Sequence, residues 1–139
     1  MEITANALQT VNVNQNVQFT EDVVPGGCSM VHRAGSGLIT LRGNTSQCRA
    51  RFRVTFGGNI AIPTGGTVEA ISLALALEGE PMGPTTMIVT PAAVENFFNV
   101  YSSIFVDVPK GCCITIGVQN TSEQAILVQS ANLIAERVA

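Results

Sequence analysis

Apolar side chains return at every second position along most of this chain. Between Cys48 and Ile62, Ala50, Phe52, Val54, Phe56 and Ile60 share one parity, while Arg49, Arg51, Arg53, Thr55 and Asn59 share the other. A period of two belongs to a strand with one face in a core and one in water, so this segment predicts a long half-buried strand. Ile71, Leu73, Leu75 and Leu77 alternate in the same way with Ser72, Ala74, Ala76 and Glu78. Val100, Ile104, Val106 and Val108 alternate with Tyr101, Ser103, Phe105 and Asp107, and Ile114, Ile116 and Val118 with Thr115 and Gln119.

Weaker strand signals lie at 17–20, 30–33, 38–42, 86–89 and 126–138. Turn chemistry separates them, at Pro25-Gly26-Gly27, Gly43-Asn44, Pro63-Thr64-Gly65-Gly66, Pro109-Lys110-Gly111 and Asn120-Thr121-Ser122. About 8–10 short strands at this spacing predict an all-β sandwich or barrel. Thr90-Pro91, a capping residue followed by proline, is the one helix-start signal and predicts one or two helical turns through Asn96. Residues 1–15, rich in small and amide side chains, read as an N-terminal arm or a first edge strand, and 16–139 as a single domain.

Composition sharpens this picture. Of the 139 residues 46% are hydrophobic and 12% charged, against about 25% charged in ordinary soluble domains. Few charges mean that much of the sequence is either core or an apolar surface that meets another chain. A net charge of −3 gives no bulk attraction to phosphate, so nucleic acid is not an expected partner. The longest apolar run, near Ile71–Leu77, is far short of the roughly 20 residues of a membrane span. The first residues carry no basic segment followed by an apolar one, which predicts synthesis in the cytoplasm without a signal peptide.

From Cys48 onward the order of features resembles the tumour-necrosis-factor-like jelly roll. It is similar in particular to the variant found in bacterial spore-surface collagen-like glycoprotein heads and in phage and prophage structural proteins. Arg51-Phe52-Arg53-Val54-Thr55-Phe56 stands where that family has its aromatic-rich strand. The run from Ile71 to Leu77 with Glu78-Gly79-Glu80-Pro81 resembles its aliphatic strand and turn. Ser103–Gly111 resembles a strand ending in a glycine turn, and Ala131–Val138 the closing strand. The resemblance implies a two-sheet sandwich of ten strands, assembled as a homotrimer with its inner sheets around a threefold axis. No Gly-X-Y tract precedes the domain, which turns the expectation from a spore coat towards a phage or prophage virion, or a bacterial surface. Capsid decoration, a fibre tip and host attachment by receptor binding are the posts this implies. The partners would be the chain itself, other virion or cell-surface proteins, or a surface glycan.

The parity of the 100–108 strand bears on assembly independently. If Val100, Ile104, Val106 and Val108 face the core, Tyr101 and Phe105 lie outside it, and exposed aromatics favour interfaces. The competing reading is a sheet buried on both sides within one subunit. Ala74 and Ala76, small and uncharged on a second face, would permit close approach of a neighbour as well. Tyr101, Phe105, Ala74 and Ala76 are therefore the candidate trimer interface.

Arg49, Arg51 and Arg53 project from one strand face, neighbours roughly 6.6–7 Å apart. Three readings remain open for them: a solvated face balanced by neighbouring acids, ion pairs across a subunit interface, or a site for a glycan or phosphate. The runner-up function is a monomeric carbohydrate- or ligand-binding β-sandwich.

An enzyme is not expected. His32 is the only histidine and Asp22 and Asp107 the only aspartates, so any triad or histidine-rich metal centre would have to pass through one residue. His32 reads as a surface or interface residue, and Glu78 and Glu80 as a solvated turn. Cys28, Cys48, Cys112 and Cys113 have no zinc-ligand spacing and read as buried thiols, with a Cys28–Cys48 disulfide as the alternative. No cofactor or metal is expected.

Overall fold

The computed structural model describes residues 1–139. Its strands are β1 (Glu2–Ala5), β2 (Gln9–Val11), β3 (Glu21–Val24), β4 (Met30–His32), β5 (Ile39–Leu41), β6 (Arg49–Ala61), β7 (Ile71–Leu77), β8 (Glu80–Pro81), β9 (Met87–Val89), β10 (Phe98–Pro109), β11 (Ile114–Asn120) and β12 (Ile126–Arg137). They form two sheets. The first runs β10-β6-β12-β1-β3, with β2 also on β12; the second runs β4-β5-β11-β7-β8, with β9 also on β7. All pairings between them are antiparallel. From β5 onward the chain passes repeatedly from one sheet to the other, giving jelly-roll connectivity.

The alternation of β6 explains its place inside the first sheet, between β10 and β12. Ala50, Phe52, Val54, Phe56 and Ile60 are fully buried, and the arginines between them are not. Opposite them, Ile39, Leu41, Ile71, Leu73, Leu75, Ile116 and Val118 supply the inner face of the second sheet, in one continuous core. β12 has a weaker alternation because its parity changes midway: the register shifts between Gln129 and Asn132, and Ser130 is left-handed at φ 53°. This bulge lets Ile126 and Val128, and then Ala131, Leu133 and Ala135, all face the core.

Three expectations are corrected. Residues 1–15 are neither a loose arm nor simply an edge, because β1 pairs with β12 on one side and β3 on the other, and Ile3 is fully buried. There is no helix at 90–96; Glu95 is left-handed at φ 56° and its N–H donates to the Ile62 carbonyl, which ties this loop to the end of β6. The single helical turn is a 3₁₀ turn at Gly83–Thr85, and Thr85 Oγ1 accepts from the Leu75 N–H. The strand count rises to twelve because β1, β2, β3 and β8 are too short to display a period.

Candidate functional face

β10 is an edge strand whose only partner in the first sheet is β6. Their register fixes the outer surface: Tyr101 stands opposite Gly57, Ser103 opposite Thr55, Phe105 opposite Arg53, Asp107 opposite Arg51 and Pro109 opposite Arg49. The arginine row and the two aromatics therefore share one face. Tyr101 is 67% exposed and Phe105 59%. The reading in which this sheet is buried on both sides within the subunit is thus removed. Between the aromatics the surface is flat and small, with Thr55 and Ser103 hydroxyls 3.0 Å apart.

Charges on this face find partners within the chain. Asp107 accepts from Arg51 Nε at 2.8 Å through Oδ1 and from Arg51 Nη2 at 3.1 Å through Oδ2, and Arg49 Nε lies 3.1 Å from the same Oδ2. The hydrogen bond to Arg51 holds the Asp107 carboxyl below the usual carboxylate range; slight desolvation opposes this, and the fields of Arg51 and Arg49 reinforce it. The same bond raises the Arg51 guanidinium. Arg53 donates from Nε and Nη2 to Glu136 Oε1, at 2.7 and 2.5 Å, across the β6–β12 ladder. Three arginines thus meet two carboxylates. An open groove of about 380 Å³, lined by Gln47, Cys48, Arg49, Arg51 and Ala139, lies at the end of the row.

Ala74 and Ala76 do not join this face. They lie on the second sheet and are 1% and 2% exposed in the single chain. Ala76 stands opposite Gly117, where a Cβ would sit 2.7 Å from the Gly37 carbonyl oxygen and 3.0 Å from a Leu38 methyl. The segment carrying Gly37 and Leu38 therefore closes the outer side of the second sheet beside Ala76, and both alanines, covered within their own chain, have no surface to offer a neighbour.

Glu78 and Glu80 are exposed at a turn, as expected, whereas His32 and the cysteines are placed differently. The His32 side chain is fully buried, bonded to Asp22 and to the Ser36 carbonyl. Cys28 and Cys48 are exposed and free, Cys112 is exposed and Cys113 half-buried. The reading as buried thiols is overturned, because all four cysteines lie in loops outside the sandwich, and Cys28 and Cys48 are not bridged to each other. Glu78 begins a two-residue turn with Gly79, both at positive φ, and its carboxylate accepts from the Thr115 N–H at 2.8 Å, so it anchors β11. The alternation puts Asp107 on the side of Phe105, while no local signal marks Glu136 as a partner of Arg53.

No protein-family model and no curated protein matches this chain. Among solved structures, it is similar to the globular domain of zebrafish complement 1qA protein, at a TM-score of 0.61 and 11% identity, over 96% of this chain and 93% of that one. It is similar also to murine APRIL crystallised at pH 8.5, at a TM-score of 0.59 and 11% identity, over 98% and 99% of the two chains. The fold is the tumour-necrosis-factor-like jelly roll. No helix of the chain is long and apolar enough to cross a membrane.

Proposed function

We propose that this protein is a non-enzymatic assembly module that forms a homotrimer through the outer face of its first sheet. In this reading it is a structural protein of a phage virion or a bacterial surface, made in the cytoplasm and carried to its post by assembly or release. One observation carries the trimer: two large aromatic side chains, Tyr101 and Phe105, stand mostly in water on the outside of a sheet edge. Aromatics of this size bury about 150–250 Å² each when covered. Placed on an edge strand, they can pack against a different part of the same face in the next copy, and a heterologous contact of that kind closes into a ring when its rotation is one-third of a turn.

The paired charges around them suit such an interface. Arg51–Asp107 and Arg53–Glu136 enter it already neutralised, and the one excess positive charge, Arg49, lies at the end of the row and shares Asp107. The virion or surface post rests on the family resemblance and on the small number of charges. The alternative, a monomeric sandwich that binds a carbohydrate or other ligand, rests on the open groove beside Arg49.

Light scattering after size exclusion tests the assembly. The intact chain is expected at three times its monomer mass, and the Tyr101→Ser/Phe105→Ser variant at the monomer mass with the same far-ultraviolet spectrum. A monomeric intact chain at every concentration would remove the trimer, and a glycan-array signal lost in Arg49→Ala would establish the alternative.

A further inference from the structure

The two sheets have adjacent free edges on one side of the sandwich, where β3 ends the first sheet and β4 ends the second. No strand pairing joins these edges. Their only side-chain link is His32 of β4, whose Nδ1 meets the Asp22 carboxylate of β3. The other ring nitrogen, Nε2, lies 2.9 Å from the Ser36 carbonyl oxygen. That same carbonyl accepts the Phe19 N–H, and the Phe19 carbonyl accepts the Gly35 N–H. The ring thus sits at the crossing of three segments, and its side chain is 0% exposed.

Hydrogen-bond accounting relates the two contacts to the protons on the ring. A backbone carbonyl and a carboxylate are acceptors only, and a neutral imidazole carries a single N–H. Both contacts can be hydrogen bonds at once only when both nitrogens carry protons. Asp22 then supplies the compensating charge for a buried cation. Asp22 is the charged group bonded to the ring: Glu21, beside Asp22 on β3, and Arg33, next to His32, are both exposed, Ile39 pairs with His32 from β5, and residues 17–20 hold no titratable side chain.

We propose that His32 is a proton-dependent clasp: as the imidazolium it locks the open edges of the two sheets together, and on losing a proton it releases one of them. The sign follows from the bonds. While both nitrogens are protonated both links hold; as pH rises through the titration of the ring, either Asp22 or Ser36 loses its donor, and residues 19–37 are freed to move. The strong, charge-assisted link to Asp22 persists longer, so release begins at the turn containing Ser36.

Nitrogen-15 spectra of the imidazole, together with amide hydrogen exchange across pH, test this on the full chain. Below the ring's titration both nitrogens should report the protonated form. Above it, exchange at Val31, His32 and Leu38 should accelerate on the order of tenfold or more beyond its intrinsic pH dependence. His32→Gln should abolish the pH-dependent step, and Asp22→Asn, which keeps the ring but removes the anion, should move it to lower pH. A singly protonated ring at every pH, or exchange at 31–38 that follows its intrinsic rate through the titration, would overturn the clasp. Should His32→Gln not fold, the position of the step in Asp22→Asn decides alone.

Discussion

Asp107 and Arg51 face one another across the β10–β6 ladder, and a single guanidinium takes both carboxylate oxygens, at 2.8 and 3.1 Å. The hydrogen bond from Arg51 holds the Asp107 carboxyl below its ordinary range. A carboxylate whose folded pKa is depressed stabilises the fold above its unfolded pKa, and that contribution fades as pH falls through the folded value. Urea unfolding followed from neutral pH into acid should therefore show less acid loss in Asp107→Asn than in the intact chain. The difference is expected to be small, because both partners are well exposed and such pairs contribute little in water. High salt should shrink it further.

Phe56 occupies the middle of β6 and is fully buried in the single core that both sheets share. Phe56→Ala removes most of an aromatic side chain and leaves a space that neighbouring strands, held by ladder bonds on both sides of β6, can fill only in part. A loss of about 3–5 kcal/mol is expected, read from the urea midpoint at constant slope. The same measurement on Arg53→Ala, whose side chain lies on the opposite face of the strand, should move by no more than about 1 kcal/mol.

Gly43 sits where the chain turns beside the end of β10, and a Cβ there would come within 2.0 Å of the Pro109 carbonyl oxygen. Both sides of that collision are backbone, so relief requires shifting the turn, whose Gly43 carbonyl accepts the Gly111 N–H. Gly43→Ala is expected to lower thermal stability, with a cost like that of overpacking a core, about 1–3 kcal/mol. Gly27→Ala is the matched control, since a Cβ there meets nothing within 4 Å, and it should change stability by less than about 0.5 kcal/mol.

The period of two was sufficient for the long strands because one side of each is wet and the other is not. β6, β7, β10 and β11 all lie where Phe52, Leu73, Val106 and Ile116 and their neighbours predict them. It failed where that contrast is missing. β3 is exposed at all four positions, and β1 has only four residues with which to alternate. The proline at 91 suggested a helix from a local rule, which the tertiary bond from Glu95 to Ile62 overrides. For the candidate face, parity alone put Tyr101 and Phe105 on the outside with the correct neighbours in sequence. Pairing across strands is a different kind of information: nothing local states that Arg51 will meet Asp107, fifty-six residues away, or that Arg53 will meet Glu136, eighty-three away. The alanines misled for the same reason. Alternation identifies a second face at Ala74 and Ala76, but only the folded chain covers both alanines and brings Gly37 and Leu38 over Gly117, the neighbour of Ala76.

That contrast between two outer faces yields the sharpest mutational test. Ala74 and Phe105 each lie on the side of a strand away from the core, yet Ala74 is covered within its own chain and Phe105 is not. A carboxylate at the covered position has neither water nor a cation to meet, and burying an unpaired charge is among the few single changes that unfold a domain. Ala74→Glu should therefore give little soluble protein and a spectrum without native β signal. Phe105→Glu places its charge in solvent beside Arg53, so the fold should persist with the far-ultraviolet spectrum of the intact chain. What it should lose is association, because the neighbour's apolar surface would have to cover a carboxylate. If Ala74→Glu instead folds and becomes monomeric while Phe105→Glu remains a trimer, the free face belongs to the second sheet and the assembly proposed for the first is wrong.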